Sequence, residues 1–184
     1  MYKIVHYITL VLAVIAVAVA DEATTNTLVT ITNPKANQML IPSQQLILQY
    51  TAHGVPSNGT SRPNPAPNYP SSLDVYFKWT QNSQSIQFKA ASGLATNVMA
   101  GGNSKVYNHR WKLPNCHFFR RYMPSEWSYS LVFDPQYPDP AANNMSKPAH
   151  PPLVPLGPKQ SQTTIPISIS FNATAMADSH HKGC

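Results

Sequence analysis

The chain has 184 residues, of which 42% are hydrophobic and 11% charged, with 18 prolines, 7 glycines, 2 cysteines and a formal charge of +6. Soluble domains ordinarily carry about 25% charged residues and about 5% proline. Helical bundles, coiled coils and Rossmann-type enzymes are therefore disfavoured, because these prolines would interrupt their long helices, and one helix-poor domain is expected.

Taken in chain order, Met1-Tyr2-Lys3 precedes an apolar run over 4–20 broken only by His6, Tyr7 and Thr9, which exits through Ala18-Val19-Ala20 into Asp21-Glu22. A basic start, an apolar centre and a small-x-small exit are the parts of a secretory signal peptide, so residues 1–20 are expected to be removed and the protein secreted. The alternative is an uncleaved anchor, since the 17 apolar-rich residues of 4–20 lie at the short edge of a bilayer span. Residues 21–175 are then expected to form the folded domain and 176–184 a C-terminal tail.

Seven segments of the mature chain alternate with period two, the pattern of strands with one buried face. They are 28–32, 46–52, 73–80, 86–90, 106–113, 127–133 and 165–171. The cleanest sets Leu73, Val75, Phe77 and Trp79 on one face against Asp74, Tyr76, Lys78 and Thr80 on the other. Seven short alternating strands with turn-rich connections predict an all-β fold, a seven-stranded antiparallel β-sandwich of immunoglobulin-like type. Pro166 suggests that the last strand lies at an edge or starts outside the ladder. Two connections are long and Pro-rich, 55–71 and 134–164, while 93–104 with Gly101-Gly102 reads as a shorter flexible turn.

Three sequons support the secretory route, at Asn58, Asn144 and Asn172. In an oxidising compartment Cys116 and Cys184 are most simply one disulfide, closing about 67 intervening residues and stabilising by roughly 3–4 kcal/mol in the chain-entropy picture. Two separate thiols, or a bond from Cys184 to another chain, are the alternatives. No apolar tail follows, so a glycolipid anchor is not expected.

The run Leu28-Val29-Thr30-Ile31-Thr32-Asn33-Pro34, followed by Leu46-Ile47-Leu48-Gln49-Tyr50-Thr51, resembles the opening of the Ig-like domain of fungal secreted and cell-wall proteins. That group includes the serine/threonine-rich GPI-anchored family and the N-terminal domain of the yeast β-1,6-glucan synthesis proteins. The resemblance implies a seven-stranded sandwich in an extracellular, cell-wall setting, and it brings no catalytic residues with it. Tyr50 stands where that pattern has Trp, Ser43-Gln44 replaces a Gly-containing turn, and the Ser/Thr-rich stalk with its anchor signal is missing.

Catalysis is not expected. A glycosidase needs two facing carboxylates roughly 5–10 Å apart, and only Asp74, Glu126 and Asp134 are plausible partners, each read more simply as a solvated or outward-facing residue. A polysaccharide oxygenase resembling the copper enzymes would need an N-terminal histidine, whereas cleavage leaves Asp21 first. The tail Asp178-Ser179-His180-His181-Lys182-Gly183-Cys184 holds metal-competent side chains without a second shell to fix them, so no metal and no cofactor are expected. No Gly-x-Ser-x-Gly elbow or phosphate-cradling Gly-rich loop is present.

The most distinctive segment is 105–122, where Tyr107, Arg110, Phe119, Arg120, Arg121 and Tyr122 interleave aromatic rings with cations. Such side chains stack on sugar rings and attract anionic polymers. The plainer alternative puts Trp111 and Phe118 in the core and the arginines in solvent. The formal charge falls from +6 to +5 when Lys3 leaves with the signal segment. The expected partner is an extracellular polysaccharide or a cell-surface protein, the second reached through the Pro-rich loops. Neither nucleic acid nor stable membrane insertion of the mature chain is expected.

Overall fold

The computed structural model describes residues 27–54, 66–98, 102–138 and 156–171. Within them lie strands β1 (Val29–Asn33), β2 (Gln38–Leu40), β3 (Gln45–Ala52), β4 (Ser72–Gln81), β5 (Gln84–Ala95), β6 (Lys105–Lys112), β7 (Ser128–Gln136) and β8 (Thr163–Ile169), with one helix, α1 (Cys116–Arg121), before β7. Three strands form a sheet in the order β1-β3-β6, and five form a second in the order β2-β8-β7-β4-β5. The fold is all-β with one helical turn and a half inserted between β6 and β7. No described helix is long and apolar enough to cross a membrane.

Alternation explains why the sheets stack. In β3 the side chains of Leu46, Leu48, Tyr50 and Ala52 are buried while those between them are exposed or half-buried. In β4 and β7 the inward rows are Leu73, Val75, Phe77 and Trp79, and Tyr129, Leu131 and Phe133. These rows join Trp111 of β6 and Ile167 and Ile169 of β8 in one continuous apolar core fed by both sheets. Each large aliphatic or aromatic side chain fully withdrawn from water contributes about 1.5–3 kcal/mol, so the core formed by these rows is what holds the two sheets together.

All seven segments that alternate in the sequence are strands, and three further features differ from expectation. First, β2 is an eighth strand, only three residues long, and it pairs parallel with β8 through Gln38↔Ile167, Met39↔Ser168 and Leu40↔Ile169. The expected purely antiparallel arrangement is thereby corrected to a mixed five-stranded sheet. Asn37 (φ 59°) donates its N–H to the Pro166 carbonyl at 2.7 Å, and Ser170 N–H donates to the Leu40 carbonyl at 2.8 Å, so the short strand is held at both ends. Pro166 consequently sits inside β8, opposite Ser130 of β7, rather than on a free edge.

Second, β5 runs for 12 residues, past the expected 86–90 and through Gly93. Gly93 has φ 65°, which glycine adopts without a Cβ penalty, and its N–H donates to Asp74 Oδ1 at 2.9 Å. Third, α1 lies between the expected strands 106–113 and 127–133, in a stretch to which the alternation pattern assigns no element. Asn115 caps it, its side-chain oxygen accepting from Phe118 N–H at 3.2 Å, and Arg120 and Arg121 occupy its last turn, where cations suit the helix dipole.

Candidate functional site

The expected basic-aromatic segment does not form one exposed surface. Phe119 is fully buried, meeting Phe77, Phe118 and Tyr129 edge-on at centroid distances of 6.5, 5.1 and 5.4 Å. Its place in the expected binding patch is therefore corrected: α1 turns this ring inward into the apolar core. Tyr122 is half-buried against Trp79 and Trp127, with Arg121 over its ring at 5.5 Å. Tyr107 is half-buried on the inward row of β6, stacked on Tyr50 at 5.3 Å, and its hydroxyl donates to the Asn97 carbonyl at 2.5 Å. Arg120 and Arg121 are exposed on α1, whereas Arg110 is exposed on the outward face of β6. The six residues thus divide among core, helix surface and sheet face.

Tyr69 and Tyr137, on the two long Pro-rich connections, are also held in structural roles. Tyr69 donates its hydroxyl to the His53 carbonyl at 2.7 Å, and the Tyr137 hydroxyl accepts from Gln160 N–H at 2.7 Å. Where the two Pro-rich connections are described, they meet: Ala66 and Leu156 form a parallel bridge, and Gly157 N–H donates to the Ala66 carbonyl at 2.7 Å. Gln160 then docks on β1, its amide oxygen accepting from Val29 N–H at 2.9 Å and its amide nitrogen donating to the Val29 carbonyl at 2.7 Å. A glutamine side chain here does the work of a paired strand at one residue of an edge.

Two carboxylates considered for catalysis do come together. Asp74 and Asp134 face each other across the β4/β7 ladder, on the side turned away from the core. Asp74, expected to be solvated, is buried; Lys89 Nζ lies 2.7 Å from its Oδ2 and Gly93 N–H donates to its Oδ1. Burial alone would push its carboxyl pKa up, but the hydrogen bonds from Lys89 and Gly93 and the Lys89 charge outweigh it and hold the carboxyl below its ordinary value. Asp134 accepts from Gln136 Nε2 at 2.8 Å and Gln162 Nε2 at 3.0 Å. A general acid must hold its proton near neutral pH, and Asp74 is arranged to hold a charge instead.

Cys116 is fully buried at the start of α1, and none of the cysteines among the described residues is free. The expected partner Cys184, the sequons at Asn58, Asn144 and Asn172, the segment 1–20 and the tail 176–184 lie outside the described residues. Among the described residues no group of three or more His, Cys, Asp or Glu side chains converges as metal ligands would.

The surface feature with the most developed geometry is one that the alternation pattern hid, the outward face of the three-stranded sheet. The register places Ile47 opposite Arg110 and Gln49 opposite Asn108, and β1 flanks β3 on its other side. Thr32 Oγ1 donates to Gln49 Oε1 at 3.1 Å, and Gln49 Nε2 donates to Asn108 Oδ1 at 2.9 Å, so one polar ladder crosses all three strands. Beside it Thr32, Asn33, Lys35, Ile47 and Gln49 line an open depression of about 480 Å³. Asn33 Nδ2 donates to the Ile47 carbonyl, fixing the rim of that depression to its floor.

Comparison with protein families, with curated proteins and with solved structures finds no match for this chain.

Proposed function

We propose that this protein is a small secreted, non-catalytic β-sandwich of immunoglobulin-like type that binds extracellular polysaccharide, in keeping with the wall setting implied by its resemblance. The fold reading is supported by strand order. In the sheet β1-β3-β6 the strands take the places of A, B and E, and β8, β7, β4 and β5 take those of G, F, C and C′. It is also supported by Tyr129 near the start of β7, whose hydroxyl donates back to the Tyr122 carbonyl. Such a tyrosine at the E–F corner is a hallmark of immunoglobulin-like sandwiches.

The functional reading is carried by one observation, the open depression on a flat sheet face bordered by the Thr32–Gln49–Asn108 ladder. Polymers with many hydroxyls are held by planar arrays of amide and hydroxyl groups spaced along a surface rather than by an enclosed pocket. Strands supply that spacing, since alternate residues on one face stand about 6.6 Å apart. The test is co-sedimentation of the full-length secreted protein with insoluble chitin, β-glucan and polygalacturonate. Retention on at least one polymer that falls when Gln49 and Asn108 are both replaced by Ala is the expected result. Absence of retention on all three would overturn the reading.

A second reading, recognition of a cell-surface protein, is favoured by β5. This edge strand is exposed over Gln84 to Lys89, with Ile86 and Phe88 at 38% and 37% exposure, and among the described residues nothing pairs with its outer edge. A long edge of this kind accepts an added strand from a partner.

A further inference from the structure

Charge is unevenly divided between the two outer faces of the molecule. The described residues include three carboxylates, Asp74, Glu126 and Asp134; two stand on the outward rows of β4 and β7, and Glu126 lies in the turn before β7. The outward rows of β1, β3 and β6 hold no carboxylate at all, and they end in Arg110 and Lys112. The one ion pair among the described residues, Lys89 with Asp74, belongs to the five-stranded sheet. Lys35, Arg110 and Lys112 therefore have no carboxylate partner among the described residues.

Position matters more than count. Lys35 lines the depression directly, from the turn that follows β1. Arg110 stands directly across the ladder from Ile47, which forms the floor. Directly opposed residues have Cβ atoms about 4.5–5.5 Å apart, so the Arg110 guanidinium is within reach of the depression from the side opposite Lys35. Ile47 is itself 47% exposed and offers an apolar surface between the two cations. The amide ladder holds Asn108 by its oxygen and leaves its N–H groups for a hydroxyl or an acid group.

We infer that this face is a binding site for an acidic polysaccharide, with Lys35 and Arg110 holding acid groups of neighbouring sugars and Ile47 lying under the ring between them. The inference rests on the polysaccharide reading and names the ligand class and the cations that select it. Carboxylate and sulfate share this chemistry, since both accept charge-assisted hydrogen bonds from guanidinium and ammonium groups. A neutral glucan would leave both cations without a counter-charge. Both positions are exposed, so substitution there removes recognition without opening the core.

The experiment measures retention of the full-length secreted protein on four probes: polygalacturonate, its methyl ester, dextran sulfate and a neutral β-glucan. Lys35→Glu and Arg110→Glu are compared with Lys78→Glu, whose side chain stands on the outward row of β4 in the other sheet. Arg110→Gln accompanies Arg110→Glu, and thermal melts confirm that each variant is folded. Retention on the acidic polymers is expected to weaken about tenfold for Lys35→Glu or Arg110→Glu, as for one lost charge-assisted hydrogen bond, and less than about twofold for Lys78→Glu. Preference between polygalacturonate and dextran sulfate identifies the acid group. Equal weakening by all three reversals would overturn the site, because net charge alone would then drive adhesion. Equal retention on polygalacturonate and its methyl ester would overturn acid recognition while leaving the polysaccharide reading intact. Retention on none of the four probes would overturn both.

Discussion

Replacing Phe119 by Ala separates a core residue from a binding residue, because the two roles predict opposite readouts. The ring is fully buried in an aromatic cluster centred on Phe77, which also meets Trp79, Phe88, Trp111, Phe118 and Tyr129 at centroid distances between 5.4 and 5.8 Å. Truncation removes the transfer energy of the ring and leaves a cavity that neighbours on rigid strands fill poorly. Phe→Ala at such sites costs about 3–5 kcal/mol, which for a domain of this size lowers Tm by roughly 6–20 °C. The variant should therefore show a much lower denaturant midpoint, read by tryptophan fluorescence from Trp79, Trp111 and Trp127. His117→Ala, on the exposed side of the same helix, should stay within about 0.5 kcal/mol of the parent. An unchanged midpoint for Phe119→Ala, accompanied by lost polymer retention, would refute this reasoning and return the ring to the surface.

Three further outcomes follow from the packing. Asp74 has its carboxyl pKa held below the ordinary value, so its contribution to stability is full above about pH 4 and disappears as pH falls through the folded value. Urea midpoints of the parent and of Asp74→Asn should accordingly converge on acidification; a gap that stays constant from neutral pH to acid would contradict the ion pair with Lys89. On the alkaline side, burial and then the neighbouring Tyr107 push the Tyr50 hydroxyl up to about 12, and burial raises that of Tyr129 as well. Groups whose folded pKa is raised stabilise fully below the unfolded value and lose that contribution above it, so stability should decline from about pH 10 toward pH 12. Phenolate absorbance should show these two hydroxyls ionising only with unfolding, and titration of every tyrosine near pH 10 in the folded state would count against their burial. Finally, a Cβ at Gly54 would collide with the backbone of Gly102 and Asn103, so Gly54→Ala should lower the thermal midpoint; an unchanged midpoint would dismiss the close approach.

Strand identity was legible because it needs only local information. The rows Leu46, Leu48, Tyr50 and Leu73, Val75, Phe77, Trp79 repeat with period two, and period two has one structural solution when one side of a sheet is buried. The short β2 carried no such repeat. Its three residues offer one inward side chain, Leu40, and pair because β8, far along the chain, presents a free edge. The helix α1 is too short for a helical period, although Pro114-Asn115 before Cys116 and the spacing from Cys116 to Phe119 were available as a cap and an inward pair.

The candidate site shows the same division. Composition and alternation determined an all-β chain with an excess of positive charge and a named set of aromatic and basic residues. Only the tertiary structure decided which of those side chains meet solvent. Phe119 and Tyr107 turned inward because one helical turn and the parity of β6 point them at the core, while Arg110 turned outward by the same parity. Lys35, Ile47 and Arg110 come from three separate stretches of chain, and Arg110 stands beside the depression that Lys35 and Ile47 line because β1, β3 and β6 are hydrogen-bonded neighbours in one register. Period two fixes which residues share a face of one strand, but register between strands is a property of the assembled sheet, and it is register that gathers a site.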